Sequence, residues 1–160
     1  MLAACSPGLD WRELRPEGAG WMGLMPCRPA QRTRQMPLGD AAVDWRLNAC
    51  QAGEVTFAIG DADVADPARV TPVLRALQAA ARARLRSVTV EPVVFQMPGM
   101  TPQPDAGRWH FQGQGPDGAA IQIELGLFSR GTRVVQAMLI GPVLAPAAVQ
   151  PFFEALRFAP

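Results

Sequence analysis

The side chains in this sequence that could carry chemistry are few: three cysteines (Cys5, Cys27 and Cys50), one histidine (His110) and the alternating aspartates Asp61, Asp63 and Asp66 of GDADVADP. Any Ser-His or Cys-His catalysis would have to run through His110. In RWHFQ its neighbours Trp109 and Phe111 point the other way. If those two are core, His110 faces solvent or the underside of a helix. Ser6, Ser87 and Ser129 have no nucleophile elbow around them, so no catalytic residue is expected and the chain reads as non-enzymatic. The aspartate spacing suggests calcium, yet the run lacks the loop glycine and distant glutamate of an EF-hand. A turn at the end of a strand followed by a helix N-cap accounts for these residues instead. No Cys or His cluster has zinc spacing, so neither a metal nor a cofactor is expected.

GQGPDG (113–118) matches G-x-G-x-x-G, but a dinucleotide loop must open a helix whose N-terminus meets the pyrophosphate. Here a Pro-Asp-Gly turn leads into a further strand, which is a hairpin signal. All fifteen basic residues are Arg, and there is no Lys or Tyr. Schiff-base lysines, phosphate-loop lysines and tyrosine acids are therefore excluded. The net charge of +1 offers no field for nucleic acid, and no run approaches the roughly 20 apolar residues of a membrane span. The expected partner is a protein or a small molecule.

Leu2-Ala3-Ala4-Cys5 resembles the lipobox of bacterial lipoproteins, in which the Cys becomes the lipidated first residue of the mature protein. The resemblance implies lipidation of Cys5 and a periplasmic protein held to the envelope, at the outer membrane, by its lipid alone. Such a signal also needs a charged start and an apolar stretch of about 7–15 residues. Only Met1 precedes Leu2, so this reading expects a start upstream of Met1; if Met1 is the true start, the match is coincidence and the protein is cytoplasmic. In an exported protein Cys27 (LMPCRP) and Cys50 (RLNACQAG) would pair, leaving Cys5 as the odd thiol that lipidation consumes. The alternative is two buried free thiols in a cytosolic protein.

The elements that would position these residues follow from periodicity. Residues 1–19 carry Pro, Gly and charge without a period and read as a tether, with a docked piece around Trp11 and Leu14. Residues 20–160 form one domain. GWMGLMP is a short buried strand and QRTRQMPL an edge strand. AAVDWRLNAC alternates, with Ala41, Val43, Trp45, Leu47 and Ala49 on one face and Asp44, Arg46 and Asn48 on the other. EVTFAIGDA continues the meander. Asp66-Pro67 and Thr71-Pro72 each read as a cap with a first-turn proline, for a helix over about 72–86 or from one turn earlier, with Val70, Leu74, Leu77, Ala81 and Leu85 as its apolar stripe. On its opposite face Arg75, Arg82 and Arg86 form a row that suits anionic headgroups or an acidic partner, and that is also how a solvated face looks. Residues 87–107 read as an extended piece and a long irregular loop. Its Met97 and Met100 are a second candidate partner surface. Three more strands and a short terminal helix, docked through Val149, Phe152, Phe153 and Leu156, complete the chain.

The expected fold class is α+β: a mostly antiparallel sheet of about six to seven strands in two meanders, packed by helices. LMPCRP after a short strand, VTFAIGDADVADP running into a helix and the closing PFFEALRF resemble the Mog1/PsbP-like α/β/α sandwich found in small bacterial lipoproteins. The resemblance covers roughly residues 20–158 and implies a binding or assembly factor with no catalytic residue to transfer. The leading expectation is thus a non-enzymatic envelope lipoprotein acting as a binding or assembly module. The rivals are a small-ligand binder with a cavity between helix and sheet near Trp45 and Trp109, and a hydrolase using His110.

Overall fold

Strict alternation of apolar and polar residues makes strands, and turn residues cut the chain where they occur. In the computed structural model, which describes residues 8–160, this produces ten strands and two α-helices in the order β1 (Arg12–Leu14), β2 (Trp21–Met25), β3 (Ala30–Leu38), β4 (Ala41–Ala52), β5 (Val55–Asp63), α1 (Val70–Arg82), β6 (Arg86–Val93), β7 (Gly107–Gln114), β8 (Ala120–Arg130), β9 (Arg133–Gly141), α2 (Pro146–Glu154) and β10 (Arg157–Phe158). Seven strands form one antiparallel sheet in the order β3-β4-β5-β9-β8-β7-β6. β1, β2 and β10 form a second, small antiparallel sheet.

The large sheet buries both faces. Leu74, Leu77 and Ala81 of α1 pack on one face against Trp45, Phe111, Ile123, Leu125 and Met138. On the other face Phe152, Phe153 and Leu156 join Trp21 and Met25 of the small sheet against Phe57, Ile59, Phe128 and Leu139. The mostly-sheet α+β class is therefore correct, and the second, small sheet is what the reading of two meanders lacks. The lead segment docks around Trp11 and Leu14, where a docked piece is expected, and it does so as a strand. β1 lies inside it and pairs with β2, Ala19 is buried, and Trp11 meets the Phe57 ring edge-on at 6.3 Å between centroids.

Asp66 caps the helical segment as its place before Pro67 predicts, and the helix end differs from expectation. The 3-10 turn Pro67–Arg69 opens the helical segment, with Asp66 as its N-cap accepting from the Ala68 amide at 2.9 Å. The α-helix then ends at Arg82, and Arg86 belongs to β6. Ala83, Arg84 and Leu85 all favour helix, so their propensity carries no stop signal. The stop comes from tertiary packing, with Leu85 buried against the sheet and Ser87 in the left-handed region at φ 51°.

Candidate binding site

A helix of 13 residues is about 20 Å long and 10–12 Å wide with its side chains, whereas seven strands at about 4.8 Å spacing span roughly 29 Å. One such helix leaves part of the sheet open. α1 lies over β8 and β9 and touches β3 at the far edge. Between them is a cleft of about 310 Å³. Its floor is Trp45, Leu47 and Ala49 of β4, Thr56 and Ala58 of β5, and Gln136, Met138 and Ile140 of β9; α1 supplies Leu77, Ala80 and Ala81.

Small side chains make the room. Ala49 and Ala58 are cross-strand partners, and Ala80 and Ala81 face them from the helix side. Gly60 permits the Trp45 indole to lie flat across β5, since a Cβ there would come within 2.2 Å of the ring. Leu47, Ile140 and Met36 remain half-buried, so an apolar floor is left partly wet. The rim carries Arg34 and Arg84, both exposed, and among the described residues no carboxylate lines the cleft.

Two charged clusters lie on the opposite face of the sheet. Asp61, with a fully buried side chain, accepts from Arg46 Nε at 3.0 Å and Nη2 at 2.9 Å, and from Arg133 Nη1 at 3.0 Å. The same two guanidiniums donate to the Glu17 and Gly18 carbonyls, at 2.7 and 3.2 Å, and so tie the lead segment to the sheet. In the second cluster Glu124 bridges Arg108, at 2.9 Å, and His110 Nδ1, at 2.6 Å. His110 Nε2 meets the Gln112 amide nitrogen at 3.0 Å, not a hydroxyl or thiol. Arg108 stacks 4.2 Å from the Phe153 ring centroid, a cation–π contact made possible by Gly126, whose Cβ would strike Phe153 at 2.8 Å.

No family model matches the chain, and no curated protein matches it in sequence. The reading of function therefore rests on the residues and their geometry.

The sequence-derived sites fare differently. Cys27 and Cys50 form a disulfide that ties the β2–β3 link to β4. Cys5 lies outside the described residues. Arg75 and Arg82 share a face of α1, but Arg86 lies on a strand and Arg75 is paired with Asp105 at 3.2 Å, so the three do not make one free row. Met97 is no surface residue: it is 1% exposed in the core beneath α2, and Met100 is half-buried beside it. The loop folds inward because its backbone finds partners there, Phe158 N–H to Pro98 O at 2.9 Å and Thr101 N–H to Ser129 O at 2.7 Å.

Trp45 lines the cleft, but Trp109 packs farther along the sheet and does not. The three aspartates do not converge. Asp61 holds arginines, Asp66 caps the 3-10 turn, and Asp63 accepts from Thr132 Oγ1 at 2.7 Å and the Ala65 amide at 2.8 Å. Those two donors hold the Asp63 carboxyl below its ordinary value of 3.8. GQGPDG spans the β7–β8 hairpin. Asp61 with its two arginines, and Glu124 with Arg108 and His110, are constellations that sequence reasoning missed. Alternation alone assigns Arg46 and Glu124 to a solvated face, and nothing local shows that α2 and the small sheet cover it.

Proposed function

We propose that this chain is a non-catalytic binding module of the bacterial envelope, held by a lipid on Cys5, that takes a small apolar ligand into the cleft beneath α1. The observation that carries the reading is the cleft itself, with its alanine-lined floor, half-open mouth and buried Trp45. Its volume of about 310 Å³ falls at the lower end of ordinary ligand pockets. The Cys27–Cys50 disulfide supports export, since such bonds persist in oxidising compartments. The layered sheet is compatible with a Mog1/PsbP-like sandwich. The ring nitrogens of His110, engaged by Glu124 and Gln112, favour a structural role for that residue over hydrolysis.

Two measurements test this. The neutral ligand 1-octanol, small enough for the cleft, is expected to bind the disulfide-bonded protein by calorimetry and to shift the tryptophan emission, and Ala58→Leu, which fills the floor, is expected to block it. Binding unaffected by that substitution refutes the cleft as the site. Expression from the full upstream region in a bacterial host, followed by intact mass without reductant, is expected to show an acylated Cys5 and one disulfide. A mass beginning at Met1 with no lipid refutes the envelope anchor.

A further inference from the structure

The rim of the cleft is chemically one-sided. Arg34 projects from the same face of β3 as Met36 and Leu38, because its register partner is Trp45 on the cleft side of β4. Arg84 follows the last turn of α1, and both arginines line the cavity. Neither has an ion-pair partner among the described residues. The other polar groups on the lining, Thr56 and Gln136, are neutral. The arginines that the fold partly buries are matched, Arg46 and Arg133 to Asp61 and Arg108 to Glu124, whereas the exposed Arg34 and Arg84 are left to solvent and to whatever enters the cleft. An apolar floor under two unmatched guanidiniums is complementary to a ligand with an apolar body and one anionic end.

We propose that the cleft binds a medium-chain carboxylate, with its chain along Trp45, Ala49, Ala58 and Met138 and its carboxylate held at the rim by Arg34 and Arg84. This rests on the reading of the cleft as a ligand site and deepens it. At roughly the 30 Å³ that a water molecule takes in the liquid, 310 Å³ accommodates about ten heavy atoms, the size of a chain of eight to ten carbons. Guanidinium is the cation best matched to a carboxylate, because its planar fork donates two parallel hydrogen bonds. The chain supplies the hydrophobic contribution to binding and the arginines supply the choice of headgroup.

The test compares three ligands of equal chain length by calorimetry on the full, disulfide-bonded chain: decanoate, 1-decanol and decyltrimethylammonium, all below micelle formation. Decanoate is expected to bind about tenfold or more tighter than decanol, and the cation weakest of all. Arg34→Gln and Arg84→Gln, both at exposed positions where folding is little affected, are expected each to weaken decanoate severalfold while leaving decanol unchanged. The double variant is expected to bind decanoate and decanol alike. Decanol binding as tightly as decanoate, with no effect of either arginine variant, overturns the anionic ligand and leaves the cleft reading standing. Binding of none of the three, or binding that Ala58→Leu does not reduce, overturns both.

Discussion

Asp61→Asn is the substitution whose cost can be worked most closely from the geometry. The carboxylate is fully buried and accepts three charge-assisted hydrogen bonds, one at Oδ1 and two at Oδ2. With its oxygen at the Oδ2 position an amide keeps the two bonds made there, without the acceptor's charge, and turns its NH₂ toward Arg46 Nε, so one of the three bonds is lost to a donor–donor contact. One bond lost at about 1.5–3 kcal/mol, and two reduced to roughly half strength without the carboxylate charge, give a gross loss of roughly 3–6 kcal/mol. Two effects reduce it. The amide no longer bears the desolvation cost of a buried charge, and Arg46 and Arg133, 18% and 26% exposed, keep part of their hydration. The expected net destabilisation is about 3 kcal/mol, which lowers Tm by roughly 6–12 °C for a chain of this size. Thermal and urea unfolding measure it. Hydrogen exchange provides an independent readout, because the same arginines hold the carbonyls of Glu17 and Gly18. In the variant the amides of Asp10 and Ala19, bonded to Pro26 O and Pro16 O, are expected to exchange faster than those of the central strands. A variant within about 0.5 kcal/mol of the parent, the scatter of ordinary surface substitutions, with unchanged exchange in residues 10–19, refutes the claim that this cluster holds the lead segment down.

Three further outcomes are expected. Replacing both Cys27 and Cys50 with Ala removes a bridge across 23 residues, and the chain-entropy account gives a loss of about 3 kcal/mol, read by unfolding under non-reducing conditions; an unchanged Tm contradicts it. Ala65 sits at φ 63° within a tight turn closed by the Asp66 amide on Val64 O at 2.7 Å, so Ala65→Gly is expected to raise stability by up to about 1 kcal/mol, against the usual sign of Ala→Gly. A fall in stability refutes strain at that residue. Asp63 has its folded carboxyl lowered by Thr132 and Ala65, so its contribution is fully present above pH 3.8 and is lost as the pH falls through the lower folded value. The acid limb of a stability–pH profile is therefore expected to be shallower in Asp63→Asn, and an identical limb counts against the assignment.

Strands with strong alternation are legible in the sequence. VDWRLNAC and the three late strands lie where period and turn residues put them, because a sheet with one buried face imposes that pattern. The pattern fails at the second face. Asn48 is 1% exposed and Glu124 6%, although both occupy polar positions of an alternating strand, because α2 and the small sheet arrive from distant parts of the chain. The helix end fails for a related reason: nothing in Ala83-Arg84-Leu85 opposes helix, and packing decides. Of the site, alternation places Trp45, Leu47 and Ala49 on one face and helical spacing places Leu77 and Ala81 in the stripe, but the open space between them is not legible. Ala49, Ala58, Ala80 and Ala81 create the room, and in an alanine-rich chain they look like ordinary filler. Met97 and Met100, expected at the surface, show that a loop rich in Pro and Met can be core when neighbouring carbonyls and amides satisfy its backbone.

The position of the disulfide has a mechanical consequence for any load applied at the N-terminal end of the chain. Force entering there meets β1 first. β1 is held to β2 by three register pairs and, through residues 17 and 18, by the Arg46 and Arg133 contacts. Peeling residues 8–20 away would free a segment with a contour length of roughly 40 Å at about 3.3 Å per residue. The load would then travel along β2 to Cys27, where it passes through a covalent bond to Cys50 in β4, the strand next to the edge of the large sheet. Residues 28–49 lie inside that covalent loop and carry none of the tension. The lead segment thus acts as a short extensible leash ending at a fixed rivet, and pulling on it would lengthen the leash before it disturbed Trp45 or the floor of the cleft.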